Sequence, residues 1–169
     1  MTRLYPHKNI DYSIQVIQNL IEKHHINAVL HLTLNDQEAD ILNIHKYSFI
    51  KNHGSIQISD IARFYSNIDY VIFSSLLECF SATPLEALYF GKVIFCSDKP
   101  FIRDCIQDNA VYFDPMDVND GALKINSFLK ESNQLDINKR IKAGKQFLKN
   151  LPTSADRSNK YLKIIQKKI

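Results

Sequence analysis

The chain has 169 residues, 45% hydrophobic and 23% charged, with a net charge of +3. That length suits one domain with a sizeable core, the composition is ordinary for a soluble globular protein, and so small a charge argues against nucleic acid as a partner. No apolar run approaches membrane-spanning length, and the first residues do not read as a signal peptide.

Met1 to Ile10 reads as a loop carrying two basic residues, Arg3 and Lys8. No strand precedes Arg3, although a doubly wound domain normally begins with one. Ile10 to Lys23 follows as an amphipathic helix, with Ile10, Ile14, Ile17, Leu20 and Ile21 on one face. Ile26 to Leu34 reads as a strand, and Asn35-Asp36 then turns into a helix up to about Lys46. Tyr47 to Lys51 reads as a short strand and Asn52 to Gly54 as a turn. Ser59-Asp60 caps a short helix ending at Ser66. The apolar run Tyr70 to Ser74 reads as a buried strand.

Glu78 to Glu86 then joins that strand to a helix running through Ala87 to Phe90. Thr83 suits an N-cap, Pro84 the first helical position, and Glu86 falls three residues after the cap, which is a capping box. Gly91 is placed to end the helix at its C′ position. Lys92 to Cys96 is the next strand, followed by Ser97 to Asn109 and a strand at Ala110 to Phe113. Asp114 to Asp117 caps a helix from Val118 to Leu129, and Asp98, Asp104 and Asp114 read as caps and turn formers. Leu135 to Asn150 and Thr153 to Ile169 are two terminal helices. The last sets Lys160, Lys163, Lys167 and Lys168 against Tyr161, Leu162, Ile164 and Ile165. That pattern suits lysines favoured by the helix dipole, a membrane-surface helix, or a helix that packs on another domain.

The alternation of strands and helices gives an α/β fold, a Rossmann-like central parallel sheet with helices on both faces. In such sheets ligands collect at the carboxyl ends of the strands, and helix N-termini present unpaired N–H groups that favour anions. The stretch Glu78 to Glu86 sits at such a place. Its two carboxylates are poorly suited to a phosphate but well suited to hydroxyls beside one, and a nucleotide sugar offers both. The plainer reading remains open: Thr83 and Glu86 as a cap, and Glu78 as a solvated loop carboxylate. His7, His24, His25, His31, His45 and His53 show no metal spacing. Cys79, Cys96 and Cys105 are odd in number and read as reduced thiols of a cytoplasmic protein. Nothing marks a base that would make Cys79 a nucleophile.

Ser74 to Leu88, with Glu78 and Glu86 eight positions apart, resembles the donor-binding signature of group 1 glycosyltransferases, close to P-S-x-x-E-x-F-G-x-x-P-L-E-A-M. Arg3 to Asn9 resembles the same family's G-R-x-x-P-x-K-N element. The chain departs from the pattern at Thr2 and Ser81, where glycine is usual, and at Ser74 and Val93, where proline is common. The resemblance covers roughly Arg3 to Asp120. It implies a retaining enzyme of the GT-B fold that transfers a hexose from a nucleotide diphosphate sugar to an acceptor hydroxyl, in polysaccharide or glycoconjugate synthesis. Arg3 and Lys8 would then bind the donor diphosphate, with main-chain amides around Phe80, Ser81 and Ala82 facing the donor. Glu86 would hold the ribose hydroxyls, and Glu78 would contact the transferred sugar as the catalytic carboxylate. The nucleobase is expected near Gly54, Ser55 and Ile56.

No metal or other cofactor is implied, since fixed cations must offset the charge of the departing diphosphate. Residues 1–169 are expected to form this single donor-binding domain, with the acceptor-binding N-terminal domain outside it, in cis or in trans, and the isolated chain inactive alone. The full enzyme would be cytoplasmic, extending to peripheral association at the inner face of the membrane. Two alternatives from other classes stay open: a non-catalytic nucleotide-sugar-binding module or remnant, and a same-fold sugar-nucleotide epimerase or glycan phosphorylase.

Overall fold

The computed structural model of the chain describes residues 3–166. Thr2, Lys167 and Lys168, which figure in the expectations above, lie outside the described residues. The elements in order are α1 (Ile10–His24), β1 (Leu30–Leu32), α2 (Asp36–Ile41), β2 (Ile50–Asn52), α3 (Ile61–Ser66), β3 (Tyr70–Phe73), α4 (Ala82–Tyr89), β4 (Val93–Ser97), α5 (Pro100–Ile106), β5 (Val111–Phe113), α6 (Val118–Glu131), α7 (Gln134–Lys149) and α8 (Ser154–Gln166). Short 3-10 turns at Pro6–Lys8, Ile44–Lys46 and Ile58–Asp60 join them.

Among the described residues all the strand pairs are parallel, and they form two ladders. β2 pairs with β1, and β3 pairs with β4, which pairs with β5. The expected strand at 26–34 is reduced to Leu30–Leu32, because β2, with which it pairs among the described residues, is itself three residues long. β4 is buried at every position, as a central parallel strand covered on both faces should be. Side chains alternate across it: Ile94 and Cys96 face one core cluster and Phe95 the other.

On one face, α1 and α6 pack together through Tyr12, Val16, Leu20, Ala122 and Ile125 against Phe95 and Phe113. On the other, α3, α4, α5 and α7 contribute Tyr65, Ala87, Leu88, Ile102, Ile106, Phe147 and Leu148 around Val71, Phe73 and Ile94. Each large side chain so buried contributes about 1.5–3 kcal/mol. Gly121 in α6 lets Tyr12 lie against its backbone, and Gly144 in α7 does the same for Leu88.

Several local expectations are corrected. α4 begins at Ala82, not after Thr83; Ser81 is its N-cap residue and makes no side-chain cap bond. Pro84 is accommodated because the first-turn N–H groups have no intrahelical partner to lose. Glu86 therefore lies too far inside the helix for a capping box. The box forms instead at Asn35 and Glu38, whose side chains and backbone amides bond reciprocally at the start of α2. α2 stops at Ile41 because Asn43 turns left-handed at φ 46°, a conformation asparagine tolerates.

The second strand is shifted to Ile50–Asn52, since Tyr47 and Phe49 pack beside the Ile10–Leu34 cluster. Asp60 makes no side-chain cap at α3. Asp98 pairs with Arg103 and Asp104 lies inside α5, a helix not anticipated. Asp114 bonds the Met116 amide in a turn, and Asp117 caps α6. Gly91 holds C′ at φ 68°. The bonds Gly91 N–H to Leu88 and Lys92 N–H to Ala87 close that end in a Schellman arrangement.

Candidate functional site

The carboxyl ends of β1 and β3 are roofed by two loops that hold each other. Ser74, just after β3, places its hydroxyl 3.0 and 2.9 Å from the carbonyls of Lys8 and Asn9. It also accepts a hydrogen bond from Ser13 at 2.8 Å. The Leu76 amide donates to the His7 carbonyl at 2.7 Å. Ser97 at the end of β4 donates to the Ser75 carbonyl at 2.6 Å. Neither Ser74 nor Ser75 was singled out from sequence as a site residue. The available signal was a pair of small hydroxyl residues ending a buried strand.

Into this frame come Lys8 and Glu78. Lys8 Nζ lies 2.5 Å from Glu78 Oε1, and Ser75 donates to the same oxygen at 2.9 Å. The two charged side chains are only 20% and 9% exposed, so the pair is partly desolvated, and removing one partner costs more than at a surface pair. A small cavity of about 90 Å³ beside it is lined by Lys8, His31, Ser74, Ser75 and Thr83. Glu78 is thus a bound, inward carboxylate and not a solvated loop residue.

Glu86 lies one helical turn further, in a larger cavity of about 630 Å³ that also takes in Thr83, Tyr65, Ile56 and His31. Its carboxylate accepts a bond from the Tyr65 hydroxyl at 3.2 Å. Burial, and then the Glu86 charge, push the Tyr65 phenol well up. Of the expected nucleobase positions, Ile56 lines this cavity, while Gly54 stands in the turn after β2 at φ 67° with Ser55 exposed beside it. Phe80 is 72% exposed, and Ser81 and Ala82 form the mouth of α4 next to Thr83.

Arg3 is placed apart from this group. Its Nε donates to Glu38 at 2.9 Å on the rim of α2, and Glu38 also accepts from the Leu4 amide. Those contacts, the Leu4 amide first, hold the Glu38 carboxyl below the usual range. The structure therefore joins Lys8, Glu78 and the N-terminus of α4, sets Glu86 in the adjoining cavity, and holds Arg3 at the edge.

A histidine pair completes the wall. His31 Nδ1 and His53 Nε2 are 2.9 Å apart with the rings stacked, and Phe64 meets both edge-on. Burial lowers both imidazoles, with each other's charge and Lys51 adding to it at His31 and Lys51 at His53. Among the described residues no cluster of three or more histidine, cysteine, aspartate or glutamate side chains could hold a metal. Burial also pushes the Cys96 and Cys105 thiols up, Cys96 strongly, and Cys79 is exposed.

Residues 1–147 match the family model described as Glycosyl transferases group 1. The chain belongs to this family. No curated protein matches the sequence. Among solved structures, this group 1 glycosyltransferase domain is similar to the catalytic domain of cholesterol-alpha-glucosyltransferase from Helicobacter pylori, with TM-score 0.72 and 20% identity over 89% of this chain and 94% of that one. It is also similar to a glycosyltransferase from Rickettsia africae, with TM-score 0.79 and 18% identity over 98% of this chain and 46% of that one. S. aureus TarM, crystallised with Fondaparinux, alpha-GlcNAc-glycerol and UDP, gives TM-score 0.80 and 18% identity over 96% of this chain and 34% of that one. The chain thus spans about half or a third of the last two. These likenesses show the fold, the Rossmann-like half of a GT-B enzyme. Among the described residues of this glycosyltransferase domain, no helix is long and apolar enough to cross a membrane.

Proposed function

We propose that this domain binds the donor of a retaining GT-B glycosyltransferase, a nucleotide diphosphate sugar whose hexosyl group passes to an acceptor hydroxyl. The observation that carries this reading is the meeting of Lys8, Glu78 and the N-terminus of α4 at the carboxyl edge of a parallel sheet, with Glu86 in the adjoining cavity. The bond from the anomeric carbon to the diphosphate breaks, one to the acceptor oxygen forms on the same face, and the acceptor's hydroxyl proton passes to an oxygen of the departing diphosphate. Charge that develops on the leaving diphosphate is offset by the Lys8 ammonium and the α4 N–H groups, with no metal required.

Arg3 adds a second cation once it turns from Glu38. Main-chain amides at Phe80, Ser81 and Ala82 face the diphosphate. Glu86 holds the ribose hydroxyls, Glu78 the transferred sugar, and Gly54 to Ile56 border the base. The acceptor would be held by a further domain, in cis or in trans, and closure of the two walls would orient the reactants. That the chain spans under half of two of its structural relatives supports this division. The product would belong to polysaccharide or glycoconjugate synthesis. Three unpaired cysteines fit the reducing cytoplasm, and we assign the enzyme there, with peripheral contact at the inner membrane face.

The test is Glu86→Gln, assayed with a thermal-shift panel of UDP-, GDP- and ADP-sugars followed by calorimetry. Because Glu86 caps nothing, the unliganded melting temperature should hold, while nucleotide affinity drops, since a charged acceptor is stronger than a neutral one. Unchanged affinity in the Gln variant would remove Glu86 from the site. Sustained sugar transfer by the isolated 169 residues would overturn the division of labour between two domains.

A further inference from the structure

One face of α4 carries both Glu86 and Phe90. They stand one helical turn apart, with the Phe90 amide bonded to the Glu86 carbonyl at 2.9 Å, so their side chains are neighbours. Tyr65, near the end of α3, lies along that face. Its ring stacks on Phe90 with centroids 4.6 Å apart and planes 15° apart, and its hydroxyl donates to Glu86 Oε2 at 3.2 Å. Phe64 meets the same ring edge-on at 6.0 Å. The tyrosine is 6% exposed, inside the cluster with Val71, Phe73, Ala87 and Leu88. A ring wedged in this way is fixed, and it fixes the oxygen that it holds.

The packing itself does not call for the hydroxyl. The neighbours are aromatic and aliphatic, and phenylalanine would present the same ring to them. Burying a hydroxyl among such groups costs free energy unless it is bonded, and among the described residues the bond it makes is the one to Glu86. Burial, and then the Glu86 charge, raise the phenol, so it stays a donor at neutral pH. Glu86 Oε1, by contrast, carries no bond among the described residues. Both oxygens of a carboxylate accept, so one is anchored and the other is presented at a set angle.

We infer that Tyr65 is a positioning residue that orients Glu86 toward a pair of vicinal hydroxyls, and that it thereby favours a ribose over a deoxyribose in the bound nucleotide. This rests on the reading of Glu86 as the ribose carboxylate, and adds the group that sets the carboxylate in place. A free glutamate would have to be immobilised as the ligand binds, which for one side chain lowers affinity about 3–10-fold. Anchoring it beforehand helps only a ligand that uses Glu86.

The test is calorimetry of the 169-residue protein with UDP, GDP and ADP and with their 2′,3′-dideoxy counterparts. The accepted ribonucleotide should bind about 10-fold or more tighter than its dideoxy form, the scale of charge-assisted bonds to hydroxyls. Tyr65→Phe should weaken the ribonucleotide about 3–10-fold and the dideoxy form less than about 2-fold. Added to Glu86→Ala, it should change ribonucleotide affinity less than about 2-fold, because no carboxylate remains to be oriented. Suppose Glu86→Ala weakens the ribonucleotide while Tyr65→Phe leaves it unchanged, or Tyr65→Phe weakens both nucleotides alike. Tyr65 is then a packing residue, and the inference falls while Glu86 keeps its place. If Glu86→Ala leaves ribonucleotide affinity unchanged, the ribose reading falls and the inference with it.

Discussion

The Lys8–Glu78 pair makes a prediction that runs against the usual expectation for a site carboxylate. At 2.5 Å, with side chains 20% and 9% exposed, the pair lies between a surface ion pair, worth at most about 1 kcal/mol, and a buried one, whose disruption costs about 3–5 kcal/mol. About 1–2 kcal/mol is a fair value. On the proposed reading a diphosphate draws Lys8 away from Glu78, so the same energy opposes binding of the bare nucleoside diphosphate. Glu78→Gln should therefore raise affinity for UDP, GDP or ADP, whichever base is accepted, by roughly 5–30-fold. Lys8→Met should weaken it by about 1.5–3 kcal/mol, the scale of a charge-assisted hydrogen bond. In the double variant the Glu78→Gln gain should vanish, because no lysine remains to be released. With the intact nucleotide sugar the gain should shrink, since on the same reading Glu78 would then have a sugar to hold. Calorimetry of the four proteins, in EDTA, reads all of this. A Glu78→Gln variant that binds the bare diphosphate as weakly as Lys8→Met would refute the exchange.

Gly121→Ala would put a methyl into clashing distance of the Tyr12 hydroxyl and 3.0 Å from Val16 Cγ2. Overpacking of this kind costs about 1–3 kcal/mol, at about 2–4 °C of melting temperature per kcal/mol. Pairing it with Tyr12→Phe should recover part of the loss in thermal melts, and no recovery would place the strain elsewhere. The folded chain holds His31 and His53 below their ordinary value, about 6.5. Between the lowered folded value and about 6.5 the unfolded chain thus binds more protons, and stability falls as pH drops through that window. Replacing both by glutamine should shrink the fall in melting temperature from pH 7.5 to 5.5, whereas an equal fall would exclude them. Every described residue of α8 is exposed, so removing residues 152–169 should shift the melting temperature by no more than about 2 °C. A larger loss would mean that α8 packs on the domain.

The sequence by itself determined the order of the elements other than α5, and the identity of the carboxyl-edge loops. The 3.6-residue spacing in α1 and the apolar runs at β3 and β4 are local patterns that burial simply reads out. Gly91 is equally local, since a left-handed C′ position needs no distant partner to be recognised. The start of α4 was not legible. Thr83-x-x-Glu86 and Asn35-x-x-Glu38 carry the same box signature, and which one closes depends on where each helix begins in space.

The pairing of Lys8 with Glu78, 70 positions apart, exists only because Ser74 and Leu76 pin the first loop to the end of β3. Arg3 looks equivalent to Lys8 in the sequence, yet Glu38 holds it on the rim. The histidine pair likewise requires β1 and β2 to lie side by side in register, His31 opposite Lys51. Most of all, the grouping of the described strands into two ladders is invisible in any run of residues, because it is a relation between β1 and β3 and belongs to neither alone.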